Sequence, residues 1–328
     1  PEIEQPPPGF DDEDVYVPDP RDLAPERPTV AVAKGARAVL EDNEILGLAM
    51  VGVTVEGKGS RLRLARNRLD ETGGVFVGGG ARATLQDNEF TGSDRGVMVD
   101  GKGTRAVVGS NDFIDVDVPI MVDRRATATI EDNVITRPGV GIEILGKGTD
   151  PDVRANRILD AALSGIDLMA GPGAVVEGND ISGSRAAIRI HNEIRDESYD
   201  SVEAKAPTNP TIRGNTIRGN GRGIVVGTGA APSIVGNTIE SNDIAGIDVS
   251  DARSRPRIED NELRANGEAI RVAEGARPKV SGNVIVERAP RAPGVPPAEI
   301  VVAGDGTGDV LTITAGVAEA APGDHVLI

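Results

Sequence analysis

The sequence predicts an all-β fold, a single-stranded right-handed parallel β-helix or solenoid of about eleven coils, and three observations carry the prediction. First, asparagine recurs at a near-constant interval: Asn43, Asn67, Asn88, Asn111, Asn133, Asn156, Asn179, Asn215, Asn237, Asn261 and Asn283, every 21 to 24 residues apart from one gap of 36. Second, a large aliphatic stands three residues before each asparagine and a large apolar residue two after it, from Leu40 and Ile45 to Val280 and Ile285. Third, the composition suits a narrow aliphatic interior with many turns: 42 glycines against four Phe, two Tyr and no Trp in 328 residues. Wider cores ordinarily fill volume with aromatic rings.

Each repeat supplies short strands around its asparagine, then a further strand of period-two alternation. Gly52-Val53-Thr54-Val55, Gly96-Val97-Met98-Val99, Gly141-Ile142-Glu143-Ile144 and Gly246-Ile247-Asp248-Val249 are examples. Alternating β-branched residues over so short a run form a strand with one buried face. Turns such as Gly57-Lys58-Gly59, Gly171-Pro172-Gly173 and Gly229-Ala230-Ala231-Pro232 close the coils. The Gly-Lys-Gly runs at 57–59, 101–103 and 146–148 share letters with a phosphate loop, but they recur without a strand-to-helix context and read as turns. A unit of about 22 residues cannot bury a face alone, so coils must stack, each strand pairing with its counterparts above and below. The asparagines then lie in single file, each amide donating to the next carbonyl. At about 4.8 Å per rung the rod is roughly 50 Å long.

The Asn-x-(Ile/Leu/Phe) and Gly-(Ile/Val)-x-(Ile/Val) pairing resembles the parallel β-helix repeats of the pectate-lyase-like superfamily, and within it the carbohydrate-binding and sugar-hydrolase (CASH) type modules, over about residues 30–315. The resemblance implies the fold. That superfamily includes lyases, hydrolases, epimerases and non-catalytic modules, so it leaves catalysis open. It implies a bacterial-type protein and favours an extracellular or periplasmic setting. Neither the multi-acid motifs of polygalacturonases nor the Asp-Pro-His-Asp motif of alginate epimerases is present.

Departures from the repeat set the expected domain plan. Residues 1–28, with Pro6-Pro7-Pro8 and Asp11-Asp12-Glu13-Asp14, read as an acidic Pro-rich linker or tail. Residues 29–328 read as the β-helix, with a polar loop insertion at about 191–207, a weaker excursion at 288–297 and an atypical C-terminal coil without the asparagine. A solenoid end exposes strand edges, so an end-capping neighbour domain or partner is expected beyond Pro1 and Ile328, which suggest an excised piece. The formal charge of −17 disfavours nucleic acid. Zero cysteine removes disulfides and thiolate chemistry, and no apolar run is long enough to span a membrane.

Reading the middle residue of each alternating strand along the rod gives an outward column: Thr54, Phe76, Met98, Met121, Glu143, Asp167, Arg189, Val225, Asp248, Arg271 and Val301. Glu143, Asp167 and Arg189 fall on consecutive rungs, with His191 beside Arg189 and the insertion leaving the same patch. Neighbouring carboxylates share a proton, and an adjacent Arg binds an anionic sugar, so these four are the candidate catalytic residues. The same pattern also arises from cross-strand ion pairs, Asp167–Arg189 and Asp248–Arg271 being alike in register. Phe76, Met98 and Met121 form an outward apolar stripe, a candidate binding surface that an N-terminal segment (Phe10, Val15, Tyr16, Val17) could instead cover. No cofactor or metal is called for. Calcium needs six or more oxygens, and only Asp100/Asp123 or Glu143/Asp167 begin such a set, while Gly304–Asp309 matches a calcium nonapeptide repeat out of register.

The leading expectation is a non-catalytic module presenting an extended binding face to a protein or carbohydrate ligand within a larger protein. The alternative is a polysaccharide-active lyase or hydrolase acting on acidic sugars through Glu143, Asp167, Arg189 and His191. Scarce aromatics weigh against the second, because sugar sites commonly stack pyranose rings on aromatic side chains.

Overall fold

Every coil bends on the residue that precedes its asparagine. In the computed structural model, which describes residues 28–47, 52–196, 199–203, 208–287, 299–301 and 325–327, those eleven residues all adopt left-handed backbone, with φ between 52° and 69°. Four of them are glycines, and a Cβ at Gly178, Gly214 or Gly236 would meet nothing within 4 Å, so glycine there serves the backbone angle alone. A second left-handed residue follows four positions after nearly every asparagine, as at Glu71, Asp115, Asp160 and Ala265. The three-residue strand between two such bends is therefore short by construction, as Arg68–Asp70 and Asp112–Ile114 show.

The bends divide each coil among three sheets. Among the described residues are 37 strands, numbered β1 to β37 in chain order, and the three main sheets are eleven-stranded and parallel throughout. No helix occurs among them. The chain is a right-handed parallel β-helix. Strands that follow one another in sequence never pair within these sheets; each pairs with its equivalent one coil away, such as Val97 with Ile120 and Val108 with Ile130.

The asparagine file is complete over the eleven coils. Asn43 Nδ2 donates to Asn67 Oδ1 at 3.0 Å, and the same step repeats through Asn88, Asn111, Asn133, Asn156, Asn179, Asn215, Asn237, Asn261 and Asn283 at 2.8–3.0 Å. Each Oδ1 also accepts the backbone N–H of the asparagine one coil earlier, as Asn111 Oδ1 does from Asn88 at 3.0 Å. The bend exposes an N–H that no sheet can pair, and the ladder supplies its acceptor. A second, shorter file, Ser184–Asn220–Asn242–Asn266, follows the second bend in the same way.

Inside, Leu64, Leu85, Val108, Ile130 and Val153 form one fully buried column and Leu69, Phe90, Phe113, Ile135 and Ile158 another. Phe90 and Phe113 stack with centroids 4.7 Å apart. At the last described full coil Val280 and Ile285 are about half exposed, at 49% and 46%, as at any solenoid end. Glu299–Val301 pairs in parallel with His325–Leu327, with Ile300 opposite Val326.

The expected loop at 191–207 contains an antiparallel hairpin, Glu193–Asp196 with Tyr199–Glu203, leaving the end of β22 (Ala186–His191). Its root is pinned by Asn192, whose Oδ1 accepts from the Thr208 backbone at 2.7 Å and whose own N–H donates to Thr228. The acidic segment up to residue 27 with its Phe10, Val15, Tyr16 and Val17, the excursion at 288–297 and the run at 304–309 lie outside the described residues.

Candidate functional site

The outward column of the first sheet is where chemistry-bearing side chains meet. Its strands β7 (Val75–Gly78), β10 (Arg95–Asp100), β13 (Val118–Asp123), β16 (Val140–Leu145), β19 (Ser164–Met169) and β22 carry Phe76, Met98, Met121, Glu143, Asp167 and Arg189 in unbroken register. Met169 and His191 pair in the neighbouring column.

Asp167 is the hub. It is 2% exposed although it lies on the outer face, because the neighbours that bond it also cover it. Its Oδ2 accepts from Arg189 Nη1 at 3.2 Å and from Ser164 Oγ at 3.4 Å, and its Oδ1 lies 2.9 Å from His191 Nε2. A buried carboxylate needs such partners, and here they fix the guanidinium and the imidazole in place. Arg189 keeps about a third of its side chain in solvent.

Glu143, one rung away, differs. Burial first, then the negative charge of Asp167, pushes its carboxyl up to about 7, against the opposing pull of Arg95, with Asp123 and Asp117 adding to the rise. Both its forms are populated near neutrality. Arg95 reaches across a rung from the start of β10, its Nη1 3.8 Å from Met121 Sδ. Glu143 thus sits between a guanidinium from below and the Asp167–Arg189–His191 group from above.

Of the four expected residues, Asp167, Arg189 and His191 are in direct contact, and Glu143 pairs with Asp167 in register one rung away. Sequence reasoning overlooked Arg95, Ser164 and Asp117, and weighed Asp123 only as a calcium ligand beside Asp100; reading the first outward position of each strand (Arg95, Val118, Val140, Ser164, Ala186, Arg222) as a further column would have found Arg95 and Ser164. The ion-pair ladder needs correcting at Asp248. Its register neighbour is Arg271, yet Asp248 Oδ2 bonds Arg222 Nε at 3.0 Å, while Arg271 lies 3.9 Å from Glu268. That carboxylate, 6% exposed, has neither a histidine nor a second acid against it among the contacts described.

The calcium starting sets do not develop. Arg124 Nε lies 2.6 Å from Asp100 Oδ1 and 3.7 Å from Asp123 Oδ2, so a guanidinium already stands where a cation between them would. Among the described residues no three His, Asp or Glu side chains converge as metal ligands. The apolar stripe is in register but half-buried rather than projecting: Phe76 lies across Gly78, and Arg95 lies over Met121. The Gly-Lys-Gly runs are turns with left-handed glycines, as at Gly101 and Gly103, both at φ 87°.

Residues 183–295 match the family model of the right-handed β-helix region, and residues 21–163 match that of the periplasmic copper-binding protein NosD. No curated protein matches the chain. Among solved structures it is similar to the Dettilon tailspike protein gp208, at 12% identity and a TM-score of 0.38, covering 75% of this chain and 59% of that one. It is also similar to the A-module of the Azotobacter vinelandii mannuronan C-5 epimerase AlgE6, at 14% identity and a TM-score of 0.27, covering 79% of this chain and 92% of that one. The chain thus spans less than two thirds of the tailspike's length. No helix of the described residues is long and apolar enough to cross a membrane.

Proposed function

We propose that this β-helix binds an extended, uronate-containing glycan along the outward face of its first sheet. One observation carries the reading: Asp167, buried on the strand face, holds Arg189 and His191 in fixed positions beside Glu143, whose carboxyl is raised to about 7. Arg95 and Arg189 offer two guanidinium groups to sugar carboxylates from either side of that acid, a local attraction that has to outweigh the long-range repulsion between a chain of formal charge −17 and an anionic polymer, and a fixed fork costs little ordering on binding. Successive rungs repeat every ~4.8 Å, close to the advance of one pyranose in a linear chain, so a polymer laid along the rod meets equivalent positions in step. Retention on immobilised polyuronate, compared with a neutral glycan matrix, tests this. Binding lost in both Arg189→Ala and Asp167→Asn supports it; retention indifferent to both, or none by the unaltered protein, refutes it.

Glu143 favours a second reading, in which the same patch transfers protons at a bound uronate. An acid titrating near 7 serves as either donor or acceptor at neutral pH. Under it, Glu143→Gln abolishes turnover of a uronate polymer while leaving binding in place; turnover unaffected by that change removes it.

The copper of the family name that matches residues 21–163 does not fit the residues here. That span contains no histidine or cysteine, and its stacked thioethers, Met98 and Met121, have a guanidinium against one sulfur. A periplasmic or extracellular setting, where polysaccharides are met, accords with the proposed ligand and with the name of that family.

A further inference from the structure

Phe76 faces outward, whereas Phe90 and Phe113 are fully buried; it is the one outward-facing ring among the aromatic side chains described. In a chain with six aromatics, a ring on the strand face calls for a reason. The residue two positions on supplies a clue. Gly78 is in ordinary extended backbone, so no left-handed angle requires glycine there. A Cβ at that position would instead lie 2.5 Å from Phe76 Cε1 and 2.8 Å from Cζ. Glycine in a strand interior is destabilising relative to alanine, and here it makes room for the ring to lie across the strand. The ring thus covers the sheet in place of a side chain, with Glu56 Oε1 3.6 Å from the same point.

We infer that Phe76, laid over Gly78, is the stacking platform of a sugar subsite three rungs from Glu143. The inference rests on the glycan reading above and extends it. The rungs run Phe76, Met98, Met121, Glu143 in register, a separation of about 14 Å at the spacing of parallel strands. The axial C–H bonds of a pyranose pack on the face of an aromatic ring through dispersion and C–H···π contacts, and its edge hydroxyls donate to flanking carboxylates. Glu56 stands in the column beside the ring, and Asp100 stands one coil further along. Met98 and Met121 continue the path as adaptable apolar contacts between the platform and the polar cluster. The site therefore distinguishes chain length: a short oligomer fills the Arg–Glu cluster alone, and one spanning about four units reaches the ring.

Calorimetric titration with linear oligouronates of about two to six units tests this, using the unaltered protein, Phe76→Ala and Gly78→Ala. Gly78→Ala keeps the aromatic and displaces it. Melting temperatures of both variants, and Val107→Ala on the second sheet, control for folding. The expected result is a loss of about tenfold or more in affinity for the longest oligomers in both variants, with the shortest bound equally by all. Equal affinity of the unaltered protein and Phe76→Ala for the longest oligomer overturns the platform while leaving the glycan reading intact. Failure of the unaltered protein to bind any length overturns both.

Discussion

Replacing Asn111 by alanine removes one link from the middle of the ladder, and the structure states what is lost. Asn111 is fully buried. Its Oδ1 accepts two hydrogen bonds from Asn88, from the backbone N–H at 3.0 Å and from Nδ2 at 2.9 Å. Its Nδ2 donates to Leu85 O, Gly109 O and Asn133 Oδ1. After the change Asn88 Nδ2 still reaches Leu64 O, and Asn133 Oδ1 still accepts from the Asn111 backbone. The Asn88 backbone N–H and one Nδ2 hydrogen of Asn88 lose their acceptor in a dry interior. At about 1–3 kcal/mol for each buried orphan, Asn111→Ala costs about 2–6 kcal/mol. Asn111→Asp keeps the acceptor but introduces a buried carboxylate with no hydrogen for Asn133, so it is destabilised at neutral pH and partly rescued in acid. Urea unfolding followed by circular dichroism measures both. A loss below about 1 kcal/mol for Asn111→Ala would refute the reasoning, since it would mean that water reaches the bend.

Further outcomes follow from the same geometry. The Glu143 carboxyl is raised from 4.5 to about 7, so the native state holds a proton that the unfolded chain releases between those values. Stability contributed by the neutral form is thus present below about 4.5 and lost as pH rises through about 7; Glu143→Gln should be more stable than the unaltered protein above that range and equal to it below, in melting curves taken across pH. Ala155 sits at a ladder bend with φ 54°, and Ala155→Gly should raise stability by about 1 kcal/mol in chemical denaturation. Phe113 is fully buried against Phe90, and Phe113→Ala should cost about 3–5 kcal/mol on the same assay.

The fold was legible because a solenoid repeats its physics. An asparagine, the apolar residues three before and two after it, and a bend recur together, so eleven weak signals read as one strong one. The proximity of Glu143, Asp167 and Arg189 was legible for the same reason, register making a column out of a list. A further register column would have placed Arg95, but which neighbour a long side chain meets depends on its reach rather than on register. Arg95 lies against Met121, one rung above its own strand, and Asp248 bonds Arg222 in preference to the Arg271 opposite it. A long flexible side chain chooses among neighbours on both adjoining rungs, and a residue list alone does not rank them. The second file of Asn220, Asn242 and Asn266 went unread, although its asparagines stand five residues after those of the first; the left-handed residue before each is seen only in the structure. The ring over Gly78 was not visible, because glycine in a strand reads equally as a turn, a bulge or a close approach.

In the reading proposed above, a glycan engages the face organised by Asp167. Surface plasmon resonance with a long polyuronate on the chip tests it most directly, comparing the unaltered protein with Arg189→Ala and with Asp248→Asn, a buried carboxylate of the same column away from the cluster. Clear binding is expected, weakened by about tenfold or more in Arg189→Ala, as loss of a charge-assisted contact implies, and unchanged in Asp248→Asn. Equal binding by all three proteins, or none by the unaltered one, would contradict it.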